Sequence, residues 1–506
     1  MKKDGTSTHG QIIKSSALIG GSTVINVGLG MVRTKVMALL IGTSGMGLFG
    51  NYGQISDFVR TVAGVGINVS GVRQIAEAVG TGDEQRIART VMALRRVALL
   101  TGAVGALLLL IFCKPVSWFM FNDGNHAGAV ALLALAVFFA DVSAAQSALV
   151  QGMRRISDLA RLSVWGAVYG TIFSIPIIYF YGEAGVVPSL VCTAAMTILT
   201  SWWYARKIQV KQTSMTWREM AGEARGLLRM GVVFMASGCM AMGGPVLVRA
   251  IITHRLGLPM AGLYQSAFVL GGVYLGYVLQ AMAADFYPRL TAVAQDNTAC
   301  NRLVNEQVEV GLLVAGPGVL ATLACAPLII ELFYSSKFGA AESVLRWICL
   351  GMLLRVASWP MGYLLIAKGE RKLYFWTELS STCTYIGLIW LCVYEWGLTG
   401  AGVAFFGSYV LYTIGVFVIA SRLTHFQWSP ANLRLFLLYG PLVAGVFICW
   451  YYLPALITAI IGGLAAIITG ICSLRVLCTH IPLQRLPRAA QKMLTLFRLA
   501  PVAEVI

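Results

Sequence analysis

Apolar runs of about 20 residues, each bounded by polar or charged residues, recur along the whole chain. A helix needs about that length to cross the hydrocarbon of a bilayer, and only helices or closed barrels satisfy the backbone there. Barrel strands would instead alternate in polarity over about 10 residues. Charged residues make up 12% of the chain, against about 25% in soluble domains. The sequence therefore predicts an all-α polytopic membrane protein.

The distribution of positive charge predicts how the chain is threaded through the membrane. We count about fourteen transmembrane helices at the usual span length. Most of the 38 Lys and Arg residues fall in every second loop, which marks those loops as cytoplasmic. Both termini are then cytoplasmic. The net charge of +17 is explained by this topology and does not predict nucleic-acid binding.

Several short segments of the chain occur twice, in the same order, at an offset of about 215 residues. The segment "GTSGMGLF" (Gly42–Phe49) matches "GLPMAGLY" (Gly257–Tyr264), and an arginine precedes each copy, Arg33 and Arg249. Further along, "GEAGVV" matches "GLTGAG" at the same offset. These matches predict a six-span unit that is present twice.

The number of spans in the repeated unit predicts the relation between the two copies. Six spans return the chain to its starting side, so the repeats are parallel and related by an axis along the membrane normal. We expect two six-helix bundles, arranged as V-shaped lobes around a central cavity, that alternate access by rocking. The predicted domains are an N-terminal lobe (1–205), a cytoplasmic amphipathic linker (206–230), a C-terminal lobe (231–422), two extra transmembrane helices (423–475) and a basic cytoplasmic tail (476–506).

Four segments resemble signatures of a known transporter family. They are "RTKVMALLIGTSGMGLFGNYGQI", "ADFYPRLTAVAQD", "ELFYSSKF" and "GYLLIAKGERKLYFWTE". The chain resembles, over roughly residues 12–422, the Wzx-type polysaccharide flippases, also called O-antigen translocases. These belong to the superfamily that includes MATE multidrug antiporters and murein lipid II flippases.

The resemblance implies a substrate, a location and partners. The substrate would be undecaprenyl-diphosphate-linked oligosaccharide, an O-antigen or similar surface-glycan unit. It would move from the cytoplasmic to the periplasmic leaflet of the bacterial inner membrane, driven by a proton or Na⁺ gradient. A glycan polymerase and a chain-length regulator would work nearby. No enzymatic activity, cofactor or metal is expected.

Charged residues inside the predicted spans are the candidate site residues. Inserting a charged side chain into the centre of the membrane costs at least about 2.5–3.5 kcal/mol on insertion scales, so such residues usually face a cavity. The implied diphosphate needs cations, and arginine contacts phosphate oxygens with two parallel hydrogen bonds. The candidate substrate-binding residues are Arg60, Arg249, Arg33, Arg355 and Lys14, and the candidate orienting or ion-coupling residues are Asp57 and Asp141.

Each candidate also has a structural explanation that the sequence leaves open. Arg60 and Asp57 are three residues apart on one helix face, so they form either a binding site with its orienting acid or a buried ion pair. Arg249, Arg33 and Lys14 lie near span ends and could extend to the membrane surface. Asp141 is either an ion-coupling acid or a helix-to-helix hydrogen-bonding group, and Arg355 precedes a predicted kink at Pro360. A further arginine, Arg346, lies near the outer end of its span, where a structural role is expected.

Two other functions fit a polytopic membrane protein of this kind. A MATE-type multidrug or cation antiporter would need an acidic cavity, whereas cations outnumber acids among the charges in these spans. A membrane glycosyltransferase, polymerase or ligase would need a long loop with acids or a nucleophile, and the loops here are short. The sequence therefore favours the flippase and keeps the antiporter as the alternative.

Overall fold

The computed structural model describes residues 8–208 and 216–480 of the chain, and over these residues the regular structure is helical. Two short 3₁₀ turns, Gly182–Gly185 and Ser336–Phe338, accompany the α-helices. The α-helices are α1 (Thr8–Ala63), α2 (Ile67–Thr81), α3 (Glu84–Ile111), α4 (Cys113–Phe121), α5 (Ala127–Gly152), α6 (Ile156–Tyr181), α7 (Val186–Arg206), α8 (Trp217–Leu256), α9 (Leu258–Ala292), α10 (Asn297–Ala324), α11 (Ala326–Phe333), α12 (Ala341–Ala367), α13 (Arg371–Thr424), α14 (Pro430–Tyr452) and α15 (Ala455–His480).

The described helices confirm the all-α membrane fold. Ten helical segments are long and apolar enough to cross a membrane, and a pair bent by 45° within α9 would make eleven. Three of the ten, Gly20–Ala63, Ile156–Arg206 and Arg371–Thr424, are 44, 51 and 54 residues long, about twice the length of one crossing. The count of about fourteen spans stays a prediction.

Internal contacts divide the chain into two units. The first comprises Met1–Gly262 with Phe333–Ser335, and the second comprises Leu263–Leu332 with Ser336–Ile506. Helix α8, which the sequence repeat assigns to the C-terminal lobe, groups with the first unit. The predicted domain boundaries stay a prediction.

Each unit has an apolar core of its own. In the first unit, residues such as Ile75, Leu94 and Leu149 bring α2, α3 and α5 together and are at most 1% exposed. In the second, Phe286 and Leu364 join α9 to α12. Elsewhere, many large apolar side chains are exposed along the helices, as expected for helices that face lipid.

The backbone itself repeats at one pair of turns. Gly182 has φ 57° and ψ −135°, and Gly397 has φ 54° and ψ −135°. Positive φ favours glycine because it lacks a Cβ atom. Three residues later, a Cβ atom on Gly185 would press on the carbonyl oxygen of Ile177, and one on Gly400 would press on that of Cys392. Each carbonyl belongs to the helical segment before the turn. The matching glycines of "GEAG" and "GLTG" therefore serve the same geometry in both copies.

The other repeated segment packs against its own copy within the first unit. A Cβ atom on Gly47 would collide with the carbonyl oxygen of Leu258, and one on Gly262 would collide with that of Thr43. Thr43 and Leu258 occupy matching places in the two copies, so this contact is reciprocal. The two glycines thus allow α1 to cross the start of α9 at backbone distance.

Candidate functional site

A cavity of about 390 Å³ lies in the first unit, with lining residues from α1, α2, α3, α5 and α8. Its apolar wall includes Phe234 and Met242 of α8. Its polar lining residues are Asp57, Arg60, Thr61, Asn68, Thr101 and Asp141. Nowhere in residues 8–208 and 216–480 does a group of three or more His, Cys, Asp or Glu side chains suit a metal ion.

Arg60 is the centre of the charged cluster in this cavity. Its Nε lies 3.5 Å from Oδ1 of Asp141, and its Nη1 lies 3.7 Å from Oδ1 of Asp57. Asp141 is 8% exposed, Arg60 34% and Asp57 61%. Both distances exceed those of a good charge-assisted hydrogen bond, about 2.7–2.9 Å. Arg60 Nε and Asp141 Oδ2 are buried atoms without a hydrogen-bond partner among the described residues. Arg60 Nη1 has only the long contact to the exposed Asp57, so it keeps donor capacity for a ligand.

A break in the helix follows Arg60 directly. Helix α1 ends at Ala63, and Val65 and Gly66 have φ values of 45° and 58° before α2 begins at Ile67. The broken segment lines the cavity through Gly64, Gly66 and Ile67. Discontinuous helices with exposed backbone groups are a common way to build substrate sites within membranes.

Glycines lie beside the carboxylate of Asp141. A Cβ atom on Gly64 would lie 3.5 Å from Asp141 Oδ1, and one on Gly102 of α3 would lie 3.5 Å from Asp141 Cβ, both ordinary van der Waals distances. A Cβ atom on Gly105 would lie 2.6 Å from Cβ of Ala63. Gly105 therefore lets α3 approach the end of α1 closely, next to the turn that holds Arg60.

The structure brings together three of the sequence candidates and adds others. Arg60, Asp57 and Asp141 share one cavity, whereas the sequence paired Arg60 with Asp57 alone. Asn68 and Thr101 were missed because single uncharged polar residues are common in transmembrane helices. The signal for the broken helix was present in "AGVGINVSG", where two glycines flank a β-branched residue.

Arg249 and Arg33 match in the repeat but have different surroundings. Arg249 is 7% exposed and lies against α1, where a Cβ atom on Gly50 would collide with its Nη1. Arg33 lies against α6 instead, where a Cβ atom on Gly170 would be 2.5 Å from its Nη1. Neither arginine is among the residues that line the cavity of Arg60.

The remaining candidates lie elsewhere. Arg355 lines a second cavity, of about 530 Å³, in the second unit. Lys14 is in the first turns of α1, and its side chain lies outside the described residues. Arg346 is fully buried and pairs with Glu342, with 2.5 Å between Nη2 and Oε1.

The chain is similar to proteins of polysaccharide biosynthesis and to lipid III flippases. The model of a family described as polysaccharide biosynthesis protein matches residues 36–343. The lipid III flippase of Escherichia coli (strain K12) is 23% identical over 423 residues, which cover 81% of this chain and 99% of that protein. The lipid III flippase of Shigella flexneri matches to the same extent.

Two solved structures have the same fold. The lipid II flippase MurJ in an inward closed conformation has a TM-score of 0.69 at 13% identity. The match covers 91% of this chain and 99% of the MurJ chain. An inward-facing multidrug resistance MATE family transporter of the MOP superfamily has a TM-score of 0.65 at 15% identity, over 79% and 98% of the two chains. At these identities the likeness establishes the fold alone.

Proposed function

The chain belongs to the polysaccharide biosynthesis protein family, and from that premise we propose that it is a flippase for a lipid-linked glycan. The proposed substrate is undecaprenyl-diphosphate-linked oligosaccharide, an O-antigen or similar surface-glycan unit. Similarity to the lipid III flippases supports this class of substrate. The observation that carries the proposal is Arg60, which lines a cavity and whose carboxylate partners lie too far away to occupy its donors fully.

In this proposal Arg60 binds the diphosphate of the substrate. Its guanidinium offers parallel N–H donors to two phosphate oxygens. Asp141, the less exposed acid, holds the guanidinium from the Nε side, and the exposed Asp57 gives way to the phosphate. The polyprenyl tail stays in lipid because its transfer into a polar cavity would be unfavourable.

We propose that an ion gradient drives the cycle through the same carboxylates. A proton or Na⁺ on Asp141 would neutralise the acid that orients Arg60 toward the diphosphate. Binding of the ion and binding of the diphosphate would then oppose each other, as linkage requires. The observation behind this step is the 3.5 Å separation of Arg60 Nε and Asp141 Oδ1.

We propose that the flippase works by alternating access. The parallel repeat of a six-span unit supports this mechanism.

The proposed function is tested by complementation of a strain that lacks its surface-glycan flippase. Wild type, Arg60→Ala, Arg60→Lys and the matched control Arg302→Ala are compared at equal membrane levels. Like Arg60, Arg302 has an acid on its own helix: its Nε lies 3.6 Å from Oε1 of Glu306. Unlike Arg60, its side chain is 73% exposed. We expect wild type and the control to restore glycan display and Arg60→Ala to fail. Failure of Arg60→Lys as well would indicate bidentate contact, and display restored by Arg60→Ala would refute the assignment of Arg60.

A MATE-type multidrug or cation antiporter is the second candidate. The observation in its favour is that two acids and one arginine line the cavity of the first unit, and the MATE fold is shared. If wild type restores no glycan in several hosts but confers resistance to cationic drugs, this function replaces the first.

We also propose a multi-pass location in the bacterial inner membrane with both termini cytoplasmic, near a glycan polymerase and chain-length regulator. The Lys and Arg distribution supports this topology. A C-terminal fusion to a reporter that fluoresces only in the cytoplasm should be bright, and a dark fusion would reverse the topology.

A further inference from the structure

The second unit contains a cavity of about 530 Å³ that the proposed diphosphate contact does not use. Its lining comes from α9 and α12 and includes Tyr277, Trp359 and Tyr363 together with Gln280 and Arg355. We propose that this cavity is a saccharide subsite that holds a pyranose ring of the glycan head group beyond the sugar attached to the diphosphate. The inference rests on the proposed flippase function and assigns the residues that contact the sugar.

The aromatic wall of this saccharide subsite is fixed in place. The rings of Trp359 and Tyr363 have centroids 4.6 Å apart, and the ring of Phe286 lies 6.1 and 6.2 Å from them. Phe286 is 2% exposed and belongs to the core of the second unit. A pyranose ring has an apolar face of C–H groups that can stack on such rings, and a rigid wall lowers the entropy cost of binding.

The polar residues of the saccharide subsite suit hydroxyl groups or a sugar carboxylate. Gln280 is exposed and offers both a carbonyl oxygen and an NH₂ group. Arg355 contacts the Met352 sulfur at 3.9 Å through Nη1, and no acid is among the residues that line the cavity. The guanidinium therefore has donors for a ligand, and the missing acid disfavours a cationic drug.

Glycines on α9 provide the space in the subsite. Gly272 and Gly276 both line it, and α9 bends by 45° after Gly272. A Cβ atom on Gly276 would meet nothing within 4 Å. A side chain at position 276 can therefore leave the backbone toward the cavity without a clash at its Cβ atom, which makes this position suited to a test.

The test measures flipping by full-length protein in liposomes with two probes. One probe is undecaprenyl diphosphate bearing a single N-acetylhexosamine, and the other is undecaprenyl-diphosphate-linked oligosaccharide extracted from the source bacterium. The variants are Gly276→Leu, Trp359→Ala and the matched control Gly415→Leu, whose added Cβ also meets nothing within 4 Å but which lies on α13 outside the subsite. Melting temperatures in detergent verify folding.

We expect Gly276→Leu and Trp359→Ala to slow flipping of the oligosaccharide probe by about three- to tenfold, the worth of one stacking contact. The single-sugar probe should be slowed by less than about twofold, and the control should match wild type with both probes. If both probes are unaffected in Gly276→Leu, or are slowed equally, the saccharide subsite is refuted. If wild type flips neither probe, the proposed function itself has failed.

Discussion

Arg60 in the first unit and Arg346 in the second are both arginines within apolar helices, and their surroundings differ in a way that separates binding from packing. Arg346 is fully buried, with its Nε and Nη2 at 3.0 and 2.5 Å from one Glu342 oxygen. Its guanidinium carbon lies 4.6 Å from the centroid of the Trp450 ring. Arg60 is 34% exposed in a cavity, with acids on two helices at 3.5 and 3.7 Å.

Each arginine has one buried nitrogen without a hydrogen-bond partner, Nε in Arg60 and Nη1 in Arg346. The comparison therefore teaches that the distance to the acids and the opening to a cavity distinguish the two arginines. Arg346 directs two nitrogens at a neighbouring acid of its own helix, and its ring contact joins α12 to α14. Close ion pairs with an added aromatic contact favour one fixed packing. Arg60 lies between two acids at distances that leave room for a better acceptor, as the proposed binding of a diphosphate would require.

Among the substitutions that test this comparison, Arg346→Ala should have the largest effect, a loss of stability. We expect the free energy of unfolding to fall by about 2–3 kcal/mol, below the 3–5 kcal/mol typical of broken buried pairs, because Glu342 is 20% exposed and can reach water. Thermal melting in detergent measures this change. The flipping rate per folded molecule should stay within about twofold of wild type; a transport defect at normal stability would assign Arg346 a functional role.

A smaller effect is expected in Asp141→Asn, which keeps the shape of the side chain but removes its charge. Transport should fall by about five- to tenfold, because Arg60 loses the acid that holds its Nε. If Asp141 also carries the coupled ion, the rate that remains should no longer respond to an imposed proton or Na⁺ gradient. Normal transport with a normal gradient response would leave the Asp141 contact with a packing role only.

The smallest expected effect is in Asp57→Asn. Asp57 is 61% exposed and 3.7 Å from Arg60, and exposed ion pairs contribute about 0–1 kcal/mol. Transport should therefore change by less than about fivefold in initial-rate assays. If Asp57→Asn lowers the transport rate more than Asp141→Asn does, Asp57 rather than Asp141 is the more important partner of Arg60.

Much of the fold could be predicted because membrane solvation leaves few choices. The length of the apolar runs indicated helices, and the glycine pairs of the repeat, such as Gly182 with Gly397, proved to share one backbone geometry. The break at Val65 and Gly66 was not predicted, because a glycine within a transmembrane helix does not by itself end it.

The site was predictable along one helix and not between helices. The spacing of Asp57 and Arg60 places them on one face, and the pair is present. Asp141 approaches Arg60 from another helix, α5, and no periodic pattern encodes the register between neighbouring helices. Arg33, equivalent to Arg249 in the repeat, lies against α6 because Gly170 leaves space there.

The most direct test of the central claim is the flipping rate of a polyprenyl-diphosphate-linked oligosaccharide in liposomes that contain wild type, Arg60→Gln or Arg346→Gln, each corrected for folded protein. Loss of charged hydrogen bonds to the diphosphate predicts a rate about ten- to a hundredfold lower for Arg60→Gln. The corrected rate for Arg346→Gln should equal that of wild type. Equal rates for Arg60→Gln and wild type would contradict the claim that Arg60 binds the transported diphosphate.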